Sequence, residues 1–233
     1  MIAAAIAASV AAAVGLSTYA HFLGRVSTGL GEIRNVALSD GSAAILNTSS
    51  SIVVSMMDDR RAIDLVEGDA WFDVAHDPSR PFEVRYGDIV VRATGTAFLV
   101  SALSGGMEVT VTEGSVVVFR DRVAAPIARL QAGGRLTLDK GRMRQEILDA
   151  ARVEQHLAWR QGMIVLDGNT LADAIDSVNR YNVLQIRVDN PALAERRVYG
   201  TFRSRDPEGL AAALATALDA HAERNDTEIL LKQ

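Results

Sequence analysis

The feature that most constrains this fold is a series of short apolar segments between Glu32 and about Leu138, separated by turns that contain glycine. Each segment has the length of a β-strand, and the apolar residues do not recur at helical spacing. Regular turn signals between such segments are typical of an all-β domain. The pattern fits both a sandwich and a solenoid-like stack.

Residues His76–Val100 contain the clearest case, a predicted β-hairpin. Apolar and polar residues alternate over 82–86 and again over 89–93, as in strands with one buried face. The intervening Gly87-Asp88 suits a type II′ turn, in which the first position needs a positive φ. Gly95 interrupts the second strand, which indicates a bulge or a close approach of another backbone.

The large aromatic residues of the all-β region are predicted to lie in its core, since scattered aromatic residues in strands are usually buried. They are Trp71, Phe72, Phe82, Phe98 and Phe119.

Catalytic patterns are missing from the sequence. His76 and Asp77 could pair as a base and its orienting carboxylate, but adjacent residues in a turn rarely face each other. Asp77 before a proline is better interpreted as a turn residue that accepts backbone hydrogen bonds. The four histidines, at 21, 76, 156 and 221, lack ligand spacing, and no phosphate loop, dinucleotide fingerprint or nucleophile elbow occurs. We therefore expect neither an enzyme nor a site for a cofactor or metal.

Composition excludes further classes of function. Cysteine is absent, which rules out disulfides, thiolate zinc sites and thiol nucleophiles. The net charge of −5 argues against a surface for nucleic acid, because neutralising phosphates requires a basic face.

Residues 1–24 are predicted to form a single transmembrane helix. Met1 to Leu23 contains no Asp, Glu, Lys or Arg, and about 20 apolar residues suffice to span a bilayer. A cleaved signal peptide and a soluble helix are the alternatives, although a signal peptide normally begins with a basic region. The nearest positive charge is Arg25, and the positive-inside rule taken literally would keep the body of the chain cytoplasmic.

The predicted order of domains is an all-β domain over 25–138, a connector over 139–162 and a small α+β module over 163–233. Within the connector, Gln145–Trp159 is predicted to form a helix. The module contains two βαβ units, in which each helix begins at a capping residue, Thr170 or Asp206. The fold class is therefore mainly β with a small βαβ-βαβ module. So small a module without catalytic residues suggests protein recognition.

The site hypothesis is recognition of a partner by strand addition at the module's edge, along 197–202 or 227–232. The residues proposed for this contact are Arg197, Val198, Tyr199, Gly200, Phe202, Ile229 and Leu231.

The chain resembles the FecR family of bacterial transmembrane sigma-factor regulators through short motifs spread over most of its length. In the all-β region the motifs are 31–42 with Leu46-Asn47, 68–77, Pro81-Phe82-Glu83-Val84, Gly95-Thr96-Ala97-Phe98 and 111–116. In the module they are Trp159-Arg160-Gln161-Gly162, Asn179-Arg180-Tyr181 and Gly200-Thr201-Phe202, similar to a signalling domain shared with secretins and TonB-dependent receptors. Each motif is weak alone, whereas their order is specific.

The resemblance implies an inner-membrane protein with its bulk in the periplasm. It would receive a signal from the signalling domain of an outer-membrane TonB-dependent receptor, and a cytoplasmic domain would bind an extracytoplasmic-function sigma factor. The sequence begins at the predicted membrane helix, so the sigma-binding domain is expected to be missing from these residues. A periplasmic scaffold or carbohydrate-binding β protein and a secretin-like assembly component are the alternatives.

Overall fold

The computed structural model describes residues 24–121 and 123–232. The predicted membrane helix thus lies outside the described residues, apart from Gly24. Among the described residues, no helix has both the length and the apolar character needed to cross a membrane.

Two seven-stranded sheets form the all-β domain. In spatial order the first sheet contains β1 (Arg25–Ser27), β4 (Ser51–Met56), β5 (Arg61–Glu67), β7 (Phe82–Tyr86), β8 (Ile89–Ala93), β11 (Ser115–Arg120) and β12 (Pro126–Gln131). The second contains β14 (Arg142–Ile147), β13 (Gly134–Asp139), β10 (Gly106–Glu113), β9 (Ala97–Leu103), β6 (Asp69–Asp73), β3 (Ala43–Leu46) and β2 (Arg34–Ala37). Neighbouring strands are antiparallel except β5 and β7. Of the two predicted architectures, the domain is a sandwich.

The sandwich core lies between the sheets and is centred on three phenylalanines. Phe72, Phe82 and Phe98 are fully buried, and the Phe72 ring centroid lies 5.7 Å from that of Phe82 and 5.5 Å from that of Phe98. The prediction is confirmed for these three. Trp71 and Phe119 are only half-buried. Trp71 follows Ala70 and precedes Phe72, both buried in this core, so strand alternation turns it to the outer face.

The predicted hairpin of β7 and β8 is confirmed, with Tyr86 opposite Ile89 and a φ of 58° at Gly87. Gly95 has a φ of 153°, and a Cβ added there would lie 2.5 Å from His76 Nδ1. The glycine therefore permits the predicted close approach, because any side chain would collide with the loop that carries His76.

A buried arginine, which the sequence did not reveal, ties two loops to the sandwich. Arg61 on β5 is 1% exposed, and its Nη1 lies 2.9 Å from Asp40 Oδ2. The same guanidinium donates to the carbonyl oxygens of Ala75, Asp77 and Arg80. A buried charge is tolerated where its donors are satisfied in this way.

The predicted connector contributes a strand to the sandwich. β14 pairs with β13 along its full length, so the second sheet ends at Ile147 rather than at residue 138. The helix predicted over Gln145–Trp159 begins only at Ala150, as α1 (Ala150–Leu157), and a 3-10 turn (Ala158–Gln161) follows. The prediction was wrong at its start because β14 is an exposed edge strand without alternating apolar residues.

The C-terminal module contains the predicted elements in the predicted order. The module consists of β15 (Met163–Thr170), α2 (Leu171–Asn179), β16 (Gln185–Val188), α3 (Pro191–Ala194), β17 (Arg197–Arg203), α4 (Pro207–Leu218), β18 (His221–Arg224) and β19 (Glu228–Lys232), of which the short helix α3 and the strand β18 are additional to the predicted elements. β15 pairs with β17 in a two-stranded antiparallel sheet, and β19 lies between β16 and β18 in a second sheet. β18 was not predicted, since its residues are all exposed.

Both predicted helix caps are confirmed. Thr170 and Asp173 form a capping box at the start of α2. The Asp206 side chain accepts from Gly209 N at the start of α4, where Pro207 occupies the first turn.

Candidate interaction surface

The strand β17 has a free edge. Within the described residues it pairs only with β15. The Ser204 backbone N–H donates to the Gly162 carbonyl, and the Arg196 carbonyl accepts from the Leu171 N–H. The backbone N–H and C=O groups of the even-numbered residues in this stretch therefore point toward β15. The backbone groups of Arg197, Tyr199, Thr201 and Arg203 therefore point outward, and their side chains are exposed.

The predicted partner-binding residues of β17 divide into two groups. Arg197 and Tyr199 are exposed, Tyr199 by 67%, and are available to a partner. Val198 is buried and Phe202 half-buried, so both support the strand from inside the module. Gly200, at a φ of 141°, lies against the Phe202 ring, where an added Cβ would be 2.8 Å from the nearest ring atom.

Strand addition at 227–232 is not available. β19 is hydrogen-bonded to β16 on one side and to β18 on the other. Ile229 and Leu231 are buried in the core of the module. Their hydrophobic alternation identified a strand correctly but could not show that both edges are occupied, because the polar strand β18 gave no signal of its own.

The C-terminal module packs against the outer face of the second sheet. Ile45, Trp71 and Leu99 lie opposite one another on β3, β6 and β9 and form an apolar row across that face. They belong to the same packed cluster as Trp159 and Tyr181. The Arg160 guanidinium lies 4.3 Å from the Trp71 ring centroid, a cation–π distance. Trp71 is therefore an interdomain residue.

A polar network, the Asp69 clasp, joins the two domains beside this apolar row. It consists of Asn47, Asp69, Arg180 and Tyr181. Arg180 Nη2 lies 2.5 Å from Asp69 Oδ2, and the same oxygen accepts from Asn47 Nδ2 at 3.0 Å. The Tyr181 hydroxyl donates to Asn47 Oδ1 at 2.9 Å.

Burial sets the electrostatics of the clasp. The Asp69 side chain is 8% exposed, whereas that of Arg180 is 52% exposed. Burial opposes the charge of Arg180, but the neighbouring Asp69 carboxylate outweighs this effect and raises the pKa of Arg180. Burial also raises the pKa of Tyr181, which keeps its hydroxyl protonated as a donor.

A backbone contact continues the clasp at Gly31, in the turn between β1 and β2. The Gly31 N–H donates to Thr48 Oγ1 at 2.7 Å, and the Thr48 hydroxyl donates to the Arg180 carbonyl at 3.2 Å. Gly31 has a φ of 72°, and an added Cβ would lie 2.7 Å from the Tyr181 carbonyl oxygen. Only glycine allows this approach of the two domains.

A cleft of about 940 Å³ lies beside the clasp, between the sandwich and the module. Charged and polar side chains line it, among them Glu108, Arg135 and His156. Arg135 Nη2 donates to Glu108 Oε2 at 2.5 Å, and Arg135 Nη1 lies 3.5 Å from His156 Nε2. Burial, helped by the positive charge of Arg135, lowers the pKa of His156.

The interpretation of Asp77 as a turn residue is confirmed. Its carboxylate accepts from the backbone N–H of Ser79 and of Arg80. Hydrogen bonds from the Ser79 hydroxyl and from the Arg80 side chain lower its pKa to about 2. Across 24–121 and 123–232, no three His, Asp or Glu side chains come together as a possible metal site.

The Asp69 clasp was not predicted, yet a signal for it was present. All four residues fall within the motifs that carry the family resemblance: Leu46-Asn47, 68–77 and Asn179-Arg180-Tyr181. The motifs from the two domains meet in space, although Asp69 and Arg180 are 111 residues apart. Polar residues inside the motifs that carry the family resemblance were therefore the available signal for an interdomain contact.

Comparison with known proteins finds a family match for most of the sandwich. Residues 24–117 match a family model described as FecR protein. No curated protein matched the chain. Two crystal structures of a proposed anti-sigma factor from Parabacteroides distasonis, at 1.65 and 2.50 Å resolution, match with a TM-score of 0.72 and 24% identity. The match covers 90% of this chain and 98% of that chain, so both domains share their fold with it.

The predicted family resemblance is confirmed for residues 24–117, the part of the sandwich that matches the FecR family model.

Proposed function

We propose that this chain is a single-pass signal transducer of the inner membrane, with its bulk in the periplasm. It relays the state of an outer-membrane TonB-dependent receptor to an extracytoplasmic-function sigma factor. In this proposal a cytoplasmic domain makes the contact with the sigma factor. The FecR domain and the fold shared with a proposed anti-sigma factor support a regulator of this kind.

The observation that carries the proposal is the clasp between the two domains. A transducer must pass a binding event from one domain to the next, and energetic coupling of this kind is carried by packed side chains and hydrogen-bond networks. Asp69, Asn47, Arg180 and Tyr181 provide such a connection between the module and the sandwich. The sandwich then continues toward the N-terminal segment through β1, which begins at Arg25.

The free edge of β17 supplies the receptor contact in this proposal. Its outward backbone groups, at Arg197, Tyr199, Thr201 and Arg203, can bond an extended segment of the receptor's signalling domain. The exposed side chains of Arg197 and Tyr199 would determine which segment binds, since main-chain bonds alone are not specific.

Photo-crosslinking in intact cells tests the receptor contact. A photoreactive amino acid replaces Tyr199, which is 67% exposed on β17, or Val183, which is 82% exposed in the loop after α2. The proposal expects the Tyr199 position to crosslink to the signalling domain of a TonB-dependent receptor, identified by mass spectrometry, and the Val183 position to do so far less. Equal crosslinking at both positions, or none to a receptor, would contradict the proposed docking.

A transcription measurement tests the output. Deleting the gene should change expression from promoters that depend on an extracytoplasmic-function sigma factor, and the response to the receptor's ligand should be lost. Unchanged transcription in both conditions would argue against a role in sigma-factor control. The complementing control is the intact gene supplied from a plasmid.

A further inference from the structure

The strand β14 is an open edge of the second sheet at the far end of the sandwich from β1 and β2. Within the described residues it pairs with β13 only. Met143 is 57% exposed and Ile147 is 86% exposed, although both are large apolar residues. An uncovered strand edge with apolar side chains is a template for pairing with another strand.

The backbone of β14 is oriented for such pairing. The Leu148 N–H donates to the Gly133 carbonyl at 2.8 Å, so this residue faces β13. Because the hydrogen-bonding direction alternates along a strand, the backbone N–H and C=O groups of residues 142, 144 and 146 also point toward β13. The N–H and C=O groups of Met143, Gln145 and Ile147 therefore point to the free edge.

The side chains of the same three residues lie on the inner face of the sheet. Met143 is opposite Leu138, and Gln145 is opposite Leu136, and both leucines are buried in the sandwich core. Side chains of cross-strand partners lie on the same face of a sheet. The side chains of Met143, Gln145 and Ile147 therefore lie on the face that is directed toward the first sheet. Arg144 and Glu146 lie on the outer face, with Arg144 Nη2 3.2 Å from Glu146 Oε2.

The sequence of β14 is complementary to itself in the antiparallel sense. With Gln145 opposite Gln145 of a second copy, Met143 lies opposite Ile147 and Arg144 opposite Glu146, each pair occurring twice. The odd-numbered residues then form three reciprocal hydrogen-bonded pairs across the axis. The apolar pairs cover Met143 and Ile147, and the charge pairs are attractive.

Other two-fold registers are worse. Centring the axis on Arg144 or on Glu146 places like charges directly opposite each other, which is destabilising. Centring it on Met143 brings Arg142 opposite Arg144, and centring it on Ile147 shortens the paired segment. Only the register at Gln145 aligns the backbone groups, the apolar residues and the charges together.

We propose that two copies of this chain associate through antiparallel pairing of β14, with the two-fold axis at Gln145. The closed, self-complementary contact is of the kind that C2 dimers use. The inference comes from the sandwich alone and does not depend on the receptor or the sigma factor.

Disulfide trapping tests the axis, since the chain has no cysteine. Gln145→Cys in the full chain, in detergent micelles, places two thiols across the axis at a hydrogen-bonded pair, where Cα atoms about 5.5 Å apart permit a disulfide. Asn35→Cys is the matched control, an exposed residue on β2, the edge strand at the other end of the same sheet. Mild oxidation should convert Gln145→Cys to a covalent dimer at least about tenfold faster than Asn35→Cys. Equal rates would overturn the proposal.

Charge reversal tests the register. In the Gln145→Cys background, Arg144→Glu sets glutamates opposite each other and should slow dimer trapping at least about tenfold. Adding Glu146→Arg restores opposite charges in the same geometry and should restore trapping. Circular dichroism verifies that each variant is folded. If Arg144→Glu has no effect, or if the swap fails to rescue trapping in a folded protein, the two-fold contact at Gln145 is wrong, and the edge serves a different partner.

Discussion

Asp69 joins residues of both domains through a single carboxylate. Its carboxylate is buried and accepts from Arg180 of the module and from Asn47 of the sandwich. Gly68, with a φ of 78°, makes the turn before it, and an added Cβ there would lie 2.6 Å from Ser50 Cα. The tight turn fixes the start of β6 and thereby the position of the carboxylate.

Replacing Asp69 by asparagine keeps the shape of the side chain and removes its charge. We expect Asp69→Asn to lower the free energy of unfolding by about 1–3 kcal/mol, because a hydrogen bond between charged groups is lost while Arg180 can still reach water. Urea unfolding followed by circular dichroism measures the change. Arg187→Gln, which breaks an exposed ion pair with Glu228, is the control and should cost about 0.5 kcal/mol or less. Similar losses for both variants would contradict the special role of Asp69.

His156 makes stability depend on pH. Its pKa is lowered by burial and by Arg135, so the folded protein takes up this proton less readily than the unfolded chain, whose histidines titrate near 6.5. The stability contribution is therefore fully present above pH 6.5 and is lost as the pH falls below that value.

We expect His156→Gln to lose less stability than the wild type between about pH 7.5 and about pH 5.5. Urea unfolding at the two pH values gives the difference. His221→Gln, on the exposed strand β18, is the control and should behave like the wild type. A pH response that is identical in the wild type and His156→Gln would assign the effect to other groups.

At the scale of elements, the sequence predicts where strands and helices lie better than it predicts which elements they pair with or pack against. On α2, Leu171, Ala174, Ile175 and Val178 follow the spacing of one helical face, and all four are buried. On α4, Ala213 and Ala217 share a helical spacing with the buried Leu210 and Leu214 but are exposed, while Ala211 is buried. An alanine-rich helix has a weak apolar moment, so its orientation is decided by the strands it packs on. Edge strands such as β14 and β18 lack a buried face and hence a periodic signal.

The turn between β1 and β2 must approach the loop after α2, and two glycines allow this requirement to be tested. Gly31 and Gly41 have φ values of 72° and 85°, so alanine strains the backbone at both, by about 1 kcal/mol. At Gly31 the added Cβ meets the Tyr181 carbonyl oxygen at 2.7 Å, whereas at Gly41 it meets only Ala75 Cβ at 3.9 Å. We expect Gly31→Ala to cost about 1–3 kcal/mol more than Gly41→Ala in urea unfolding. Equal costs would show that the domains do not need this close approach.

For the whole molecule, an all-β domain and a small α+β module could each be predicted, but neither the choice of a sandwich over a solenoid-like stack nor the arrangement of the two domains could. The clasp joins residues as distant as Asn47 and Tyr181, which are 134 positions apart. Local patterns of hydrophobicity describe one element at a time and contain no information on such pairs. Trp71 illustrates the difficulty, since an aromatic residue in a strand predicts burial without showing which of two cores receives it.

The position of the tryptophans allows the coupling between the domains to be measured. The chain contains two tryptophans, Trp71 and Trp159, and both lie in the interdomain cluster. If the contact makes the two domains one cooperative unit, wild-type urea unfolding monitored by tryptophan fluorescence and by circular dichroism should give coincident transitions.

The Gly31→Ala variant should separate the two transitions, with the fluorescence change at a lower urea concentration, because the module leaves the sandwich before either domain unfolds. Gly41→Ala strains the backbone without touching the module and should keep the two curves coincident at a lower midpoint. Separate transitions in the wild type would show that the domains unfold independently. In that case the Asp69 clasp would be too weak to pass a binding event at β17 to the sandwich.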